Sequence, residues 1–149
     1  MALYALIDTN ILIDYVAKRG AYYLDARKIV DGGDRHIFYG CIAAHSIPDI
    51  FYILRKSVPA DERRETLLRL CEIFDVVGIE KDKLTTALKN TQFTDFEDCL
   101  QSLCALDFHA DYIVTRNPDD FAQSIVPTIT PDVFCQRFLD NSSSEQEAD

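Results

Sequence analysis

The strongest constraint on this chain is its first apolar run. Ala2 to Ile7 is nearly unbroken, stops abruptly at Asp8, Thr9 and Asn10, and gives way to a second run, Ile11 to Ile13. A short apolar run bounded by polar residues predicts a strand buried on both faces. Such strands sit inside parallel sheets covered by helices, where ligands and chemistry gather beyond the carboxyl ends of the strands. Asp8 stands at that position. A carboxylate at the end of a core strand must be solvated or paired. Taken alone, Asp8 or Thr9 also serves as a cap for the helix that follows.

The remaining pattern extends the same architecture. Helices are predicted over residues 10–18 and 22–30, the second stopped by Asp31, Gly32, Gly33 and Asp34, and a strand over 36–42. A helix over 43–56, interrupted near its start by Pro48, has Ile47, Ile50, Phe51 and Leu54 on one face. A helix over 61–71 with Leu67, Leu68 and Cys71 inward leads to a strand over 74–79, then a helix over 81–90 with Leu84, Ala87 and Leu88 inward. Thr94 and Glu97 have the spacing of a capping box ahead of a helix to Leu106. A strand over 111–115, a turn over 116–120, a short edge strand over 126–129 and a last helix over 130–139 complete the order. Strands alternating with helices predict a three-layer α/β/α sandwich with a central parallel sheet of four to five strands.

Composition bounds the rest. A chain of 149 residues, 48% hydrophobic, fits one domain with its own core. Residues 1–139 are expected to form it, with 140–149 a disordered acidic tail. Five cysteines, odd in number and without a CxxC pair, indicate reduced thiols rather than disulfides or zinc ligands. No run approaches the ~20 apolar residues of a membrane span, and Asp8 and Asp14 interrupt any leader core, so a cytoplasmic protein without membrane contact is expected. The net charge of −10 lacks the basic footprint usual for nucleic-acid binding. A local patch or a bound cation can still supply a positive field.

Carboxylates recur where open α/β sheets keep their sites. Asp8 ends the first strand, Asp95 and Asp98 share one face of a first helical turn, and Asn117, Asp119 and Asp120 follow the fourth strand. Asp49 lies one turn into the helix after the second strand. Singly, each has an ordinary explanation: Glu97 as a cap, Asp95 and Asp98 as complements to the helix dipole, Asp119 and Asp120 as turn residues, His45 and Asp49 as a surface pair. Together, carboxylates converging on one cleft repel one another unless a cation is present. Oxygen donors suit Mg²⁺ or Mn²⁺ rather than zinc. Such ions activate water and clamp the oxygens of an in-line phosphoryl displacement.

Three blocks in order now carry a resemblance: Leu6 to Asn10, Asp95 to Ala105, and Asp111 to Phe121, with Ile129 to Phe134 as a closing strand-to-helix turn. With these the chain resembles the PIN-domain family, the compact nucleases that include VapC-type toxin ribonucleases. The resemblance implies an α/β/α fold with the first strand central, and Mg²⁺- or Mn²⁺-dependent cleavage of RNA. It implies Asp8 and Asp98 as the principal metal ligands, Asp95 and Asp120 nearby, and Thr115 beside the metal. Asn117 stands where many members have Asp. Asp49 stands in the helix where members usually have Glu. The resemblance further implies a homodimer and a small antitoxin protein as partners. Arg55, Lys56 and Arg116 are the expected phosphate contacts.

Two other readings compete. A phosphatase or receiver domain would want a second acid close after Asp8, where this chain has Asn10. A PIN-like scaffold that binds RNA or a protein partner and cleaves nothing is favoured by Asn117, Asp49 and the acidic surface.

Overall fold

In a computed structural model, described over residues 2–140, the first strand lies at the centre of the sheet as expected. The strands are β1 (Tyr4–Ile7), β2 (Tyr39–Ala43), β3 (Asp75–Val77), β4 (Tyr112–Val114) and β5 (Thr128–Ile129). The helices are α1 (Thr9–Ala17), α2 (Tyr23–Asp34), α3 (Ser46–Ile53), α4 (Ala60–Ile73), α5 (Lys81–Lys89), α6 (Phe96–Asp107) and α7 (Pro131–Phe134). All four strand pairings are parallel, in the order β3-β2-β1-β4-β5, with Leu6 opposite both Cys41 and Ile113. The chain passes from β1 to β2 on one side and places β4 on the other. The crevice between the carboxyl ends of β1 and β4 is therefore the topological switch point, where open parallel sheets bind ligands.

The strand period of two divides the core. Ala5, Ile7, Ile42 and Val114 face α1, α2, α3, α4 and α7 through Leu12, Ile29, Ile50, Leu70 and Phe134. Leu6, Cys41, Ala43 and Ile113 face α6 through Cys104 and Ala105. Small side chains on both sides of that second layer let α6 lie close to the sheet, which brings its N-terminal turn to the carboxyl end of β1. All five cysteines are free thiols. No helix among the described residues is long and apolar enough to cross a membrane.

Several expectations are corrected. The glycine pair does not end α2, which continues to Asp34. A Cβ on Gly32 would meet Leu139 Cδ2 at 2.8 Å and one on Gly33 would meet the Phe74 ring at 2.6 Å, so these glycines serve close packing rather than termination. Asp95, not Thr94, is the N-cap of α6, its Oδ1 accepting the Asp98 N–H at 3.0 Å, so the Thr94–Glu97 box does not form. Leu68, Leu84 and Leu88 are exposed rather than inward, because α4 buries only a narrow face through Arg63, Leu67 and Leu70, and α5 buries only Ala87. Arg63 replaces hydrocarbon there: it donates from Nε to Val58 O at 2.9 Å and from Nη1 to Phe51 O, fastening the turn between α3 and α4. Asp140 belongs to the last helical turn and pairs with Lys28 at 3.3 Å. The rest of the expected tail, 141–149, lies outside the described residues.

Candidate active site

Asp8 follows β1 directly and is only 2% exposed. Three features hold it. Its backbone N–H continues the ladder to Val114 O at 3.0 Å, and Thr115 Oγ1, at the end of β4, donates to Oδ2 at 2.8 Å. Gln101 Nε2 donates to Oδ1 at 3.0 Å from one turn inside α6. Gln101 is itself fixed: its Oε1 accepts the Thr9 N–H at 3.1 Å and the Thr9 hydroxyl at 3.2 Å, and that hydroxyl shares a hydrogen bond of 2.7 Å with Ser46. Three elements are thus tied to one carboxylate. Burial raises the Asp8 carboxyl above the usual range, opposed by the bonds from Gln101 and Thr115 and from the Asn10 and Thr9 backbone.

Asp98 sits one turn before Gln101, on the same face of α6. Burial pushes its carboxyl up from 3.8 to about 7, followed in effect by the negative fields of Asp95, Asp8, Asp120 and Glu97. Four further acids therefore act on this one. Asp120 is brought in by a short 3₁₀ turn (Pro118–Phe121) after β4, whose N-cap is Asn117. The Asn117 backbone N–H donates to Thr115 Oγ1 at 3.0 Å, so Thr115 is both donor to Asp8 and anchor of that turn.

A second group adjoins the first from α3. His45, Asp49 and Glu97 each present a ligand atom, all within 4.8 Å of one another. The Glu97 carboxyl is raised by burial, then by its hydrogen bond with Asp49 and by the charges of Asp49 and Asp95. Burial lowers the His45 imidazole, against the opposing pull of Asp49 and Asp95.

Arg116 is less free than the sequence suggests. Its Nε lies 2.8 Å from Oδ2 of Asp14, a residue 1% exposed, and its guanidinium stacks 4.1 Å from the Tyr22 ring centre. Burial raises the Asp14 carboxyl, while Arg116 and Arg19 lower it. A cleft of about 310 Å³ opens beside this pair, lined in part by Tyr22, Thr130 and Asp132.

The structure thus gathers Asp8, Asp95, Asp98, Asp120, Thr115 and Asn117 at the switch point, and links Asp49 to them through Glu97. Arg55 and Lys56 lie beyond the C-terminal end of α3, the opposite end of that helix from Ser46, and Arg55 Nη1 donates to Tyr52 O at 2.9 Å. Sequence reasoning missed Gln101, Ser46 and the role of Glu97. Gln101 had a signal: a polar residue inside the apolar stripe of α6, three positions after Asp98. The side-chain oxygens at the switch point are carboxylates, whose charges add to burial in raising Asp98, and the Thr115 hydroxyl, a set that fits a hard divalent cation.

A family model described as a PIN domain matches residues 4–119. Among solved structures, the chain is similar to the crystal structure of VapBC2 from Rickettsia felis bound to a DNA fragment from their promoter. The TM-score is 0.60 at 16% identity, over 86% of this chain and 98% of that one. No curated protein matches the sequence.

Proposed function

The chain belongs to the PIN-domain family, and from that premise we propose that it is a metal-dependent endoribonuclease hydrolysing RNA phosphodiester bonds at the β1–β4 switch point. The observation that carries this reading is the convergence of carboxylates at one strand end: Asp8, fixed by Gln101 and Thr115, faces Asp98 one turn before Gln101 on α6, and the charges of Asp95, Asp8, Asp120 and Glu97 add to burial in raising the Asp98 carboxyl. A fold retains such repulsion where a cation offsets it. Asp8 and Asp98 would be the principal ligands, with Asp49, Asp95 and Asp120 as further oxygen donors. Bound Mg²⁺ or Mn²⁺ supplies the charge that activates water and stabilises the developing negative charge of the phosphate.

The chain's own residues do the positioning. Gln101 and Thr115 fix both oxygens of Asp8, so the carboxylate is oriented before any ligand arrives. Thr115 also holds the turn that delivers Asn117 and Asp120. Arg116 is set beside the cleft by Asp14 and Tyr22 and provides a cationic face for RNA phosphate, with Arg55 and Lys56 as more distant contacts. The likeness to VapBC2 and the VapC-type resemblance support a toxin paired with a small antitoxin protein; cytoplasmic action and a homodimer are part of the same proposal. Asp49 and Asn117, shorter or neutral where family members carry Glu and Asp, favour the second reading of a weak or inactive scaffold.

Cleavage of a mixed single-stranded and structured RNA pool, with Mg²⁺, with Mn²⁺ and with EDTA, separates the two. Metal-dependent products from the wild type that vanish in Asp98→Asn support the nuclease. Silence from folded wild type, or cutting unchanged in the variant, assigns the chain to the scaffold reading.

A further inference from the structure

The His45, Asp49 and Glu97 group differs in chemistry from the all-oxygen set around Asp8 and Asp98. We propose that it is a second cation position, one that takes a first-row transition ion through a histidine nitrogen, in preference to Mg²⁺. This rests on reading the cleft as a cation site.

Three observations converge. His45, the N-cap of α3 with helical backbone angles, and Asp49 are four residues apart, so both side chains face the same way. Glu97 comes from the first turn of a different helix, α6, and its carboxyl reaches across to that of Asp49. The three ligand atoms lie within 4.8 Å of one another, close enough for small side-chain adjustments to bring them around one ion.

The independent sign is the imidazole. Both ring nitrogens of His45 are shut off from solvent, and neither has a hydrogen-bond partner. Native folds rarely leave a buried polar atom unpaired, and an imidazole between two carboxylates that bonds to neither is in want of a cation. The donor set of one nitrogen and two carboxylates selects the ion. Imidazole suits Zn²⁺ and its neighbours, carboxylate suits Mn²⁺, and Mg²⁺ prefers oxygen and retains its waters. The position therefore binds Zn²⁺ more tightly than Mn²⁺, and both more tightly than Mg²⁺. It also accounts for the pairing of a short Asp49 with Glu97: the reach that α3 lacks comes from α6.

The test uses the full chain, stripped with chelator and loaded with Mn²⁺ alone, read by pulsed electron paramagnetic resonance for ¹⁴N coupling to bound Mn²⁺. Zn²⁺ affinity is measured separately by competition with a chromophoric chelator. Wild type should show imidazole coupling. His45→Gln should lose it and weaken Zn²⁺ binding by at least the roughly tenfold that even an outer-sphere partner costs. Glu97→Gln, at an exposed position where folding is not at stake, should weaken Zn²⁺ similarly. Asp98→Asn should retain the nitrogen coupling. Absence of coupling in wild type overturns the proposal, as does coupling or Zn²⁺ affinity unchanged in His45→Gln or Glu97→Gln. A nitrogen-coupled ion in a protein that cleaves no RNA would leave this site standing and remove the nuclease reading. Metal-dependent cleavage without nitrogen coupling would do the reverse.

Discussion

Replacing Asp98 with Asn should stabilise the metal-free protein by an amount that grows as pH rises through the acid range and is complete above about pH 7. The Asp98 carboxyl sits at about 7 in the fold against an ordinary 3.8. Well below the ordinary 3.8 both folded and unfolded chains carry the proton, and the site contributes nothing. As pH rises toward 7 the unfolded chain releases its proton while the fold retains it, so stability falls, and the full penalty applies above about 7. A displacement of about three units corresponds to roughly 4 kcal/mol as an upper bound. Partial exposure and solvent screening reduce that to about 1–2 kcal/mol. In a domain of this size each kcal/mol moves Tm by about 2–4 °C. Asp98→Asn should therefore melt roughly 2–8 °C above wild type at pH 8 in EDTA, with the gap closing as pH falls below the ordinary 3.8 of the unfolded carboxyl. Scanning calorimetry across that range measures the difference. Saturating Mn²⁺ should then reverse the order, because at a hundredfold excess over Kd a ligand specific to the fold adds about 2.7 kcal/mol to the wild type. A Tm difference that is the same at every pH, or a variant less stable than wild type at pH 8 without metal, would refute the electrostatic account of this site.

Three further changes probe what surrounds it. Gln101→Leu strips one bond from Asp8 Oδ1 and leaves the Thr9 N–H without its acceptor, an expected cost of about 1–3 kcal/mol in urea denaturation; a neutral result would mean that Asp8 is not held from α6. Arg116→Met leaves the carboxylate of Asp14, 1% exposed, without its cation and should cost about 3 kcal/mol at pH 7, with much of the loss recovered where Asp14 is protonated. Gly40→Ala places a Cβ 2.5 Å from the Phe74 ring, a side chain that Gly33 also approaches closely, and should destabilise by about 1–3 kcal/mol without altering metal binding at the carboxyl end of the sheet.

The features legible in the sequence were those with a period or a strong local signature. The run ending at Ile7 announced a buried central strand because alternation is absent when both faces are covered. The acids at positions 8 and 120 could be placed just beyond strands, and those at 95 and 98 at the start of a helix, because parallel topology brings strand ends and helix starts to the same edge of the sheet. What escaped depended on distances between elements. Gly32 and Gly33 read as a stop signal, since nothing local reveals that Leu139 and Phe74 approach them from elsewhere in the chain. Thr94 and Glu97 matched a capping box, yet the neighbouring Asp95 took the cap one residue later. Arg116 read as a free phosphate contact, and its commitment to Asp14 appears only once α1 and the β4 turn are brought together.

The same logic bears on the two departures from the family pattern. Judged by position, Asp49 and Asn117 each subtract something from a carboxylate set: one a methylene of reach, the other a charge. Judged in space, the set is not depleted, because Asp98 feels Asp95, Asp8, Asp120 and Glu97 together and is raised to about 7 by burial and their fields. Two of those acids, the N-cap Asp95 and Glu97, come from the start of α6, and one, Asp120, from the turn that Asn117 opens. Replacing any one carboxylate in such a group by its amide should relieve repulsion as well as remove a ligand, so single losses are partly offset. A charge missing at 117 is therefore weak evidence for an inactive site. The firmer discriminator is Asp8: its two oxygens are already assigned to Gln101 and Thr115, and no other carboxylate among the described residues is held by donors from α6 and from the end of β4 at once.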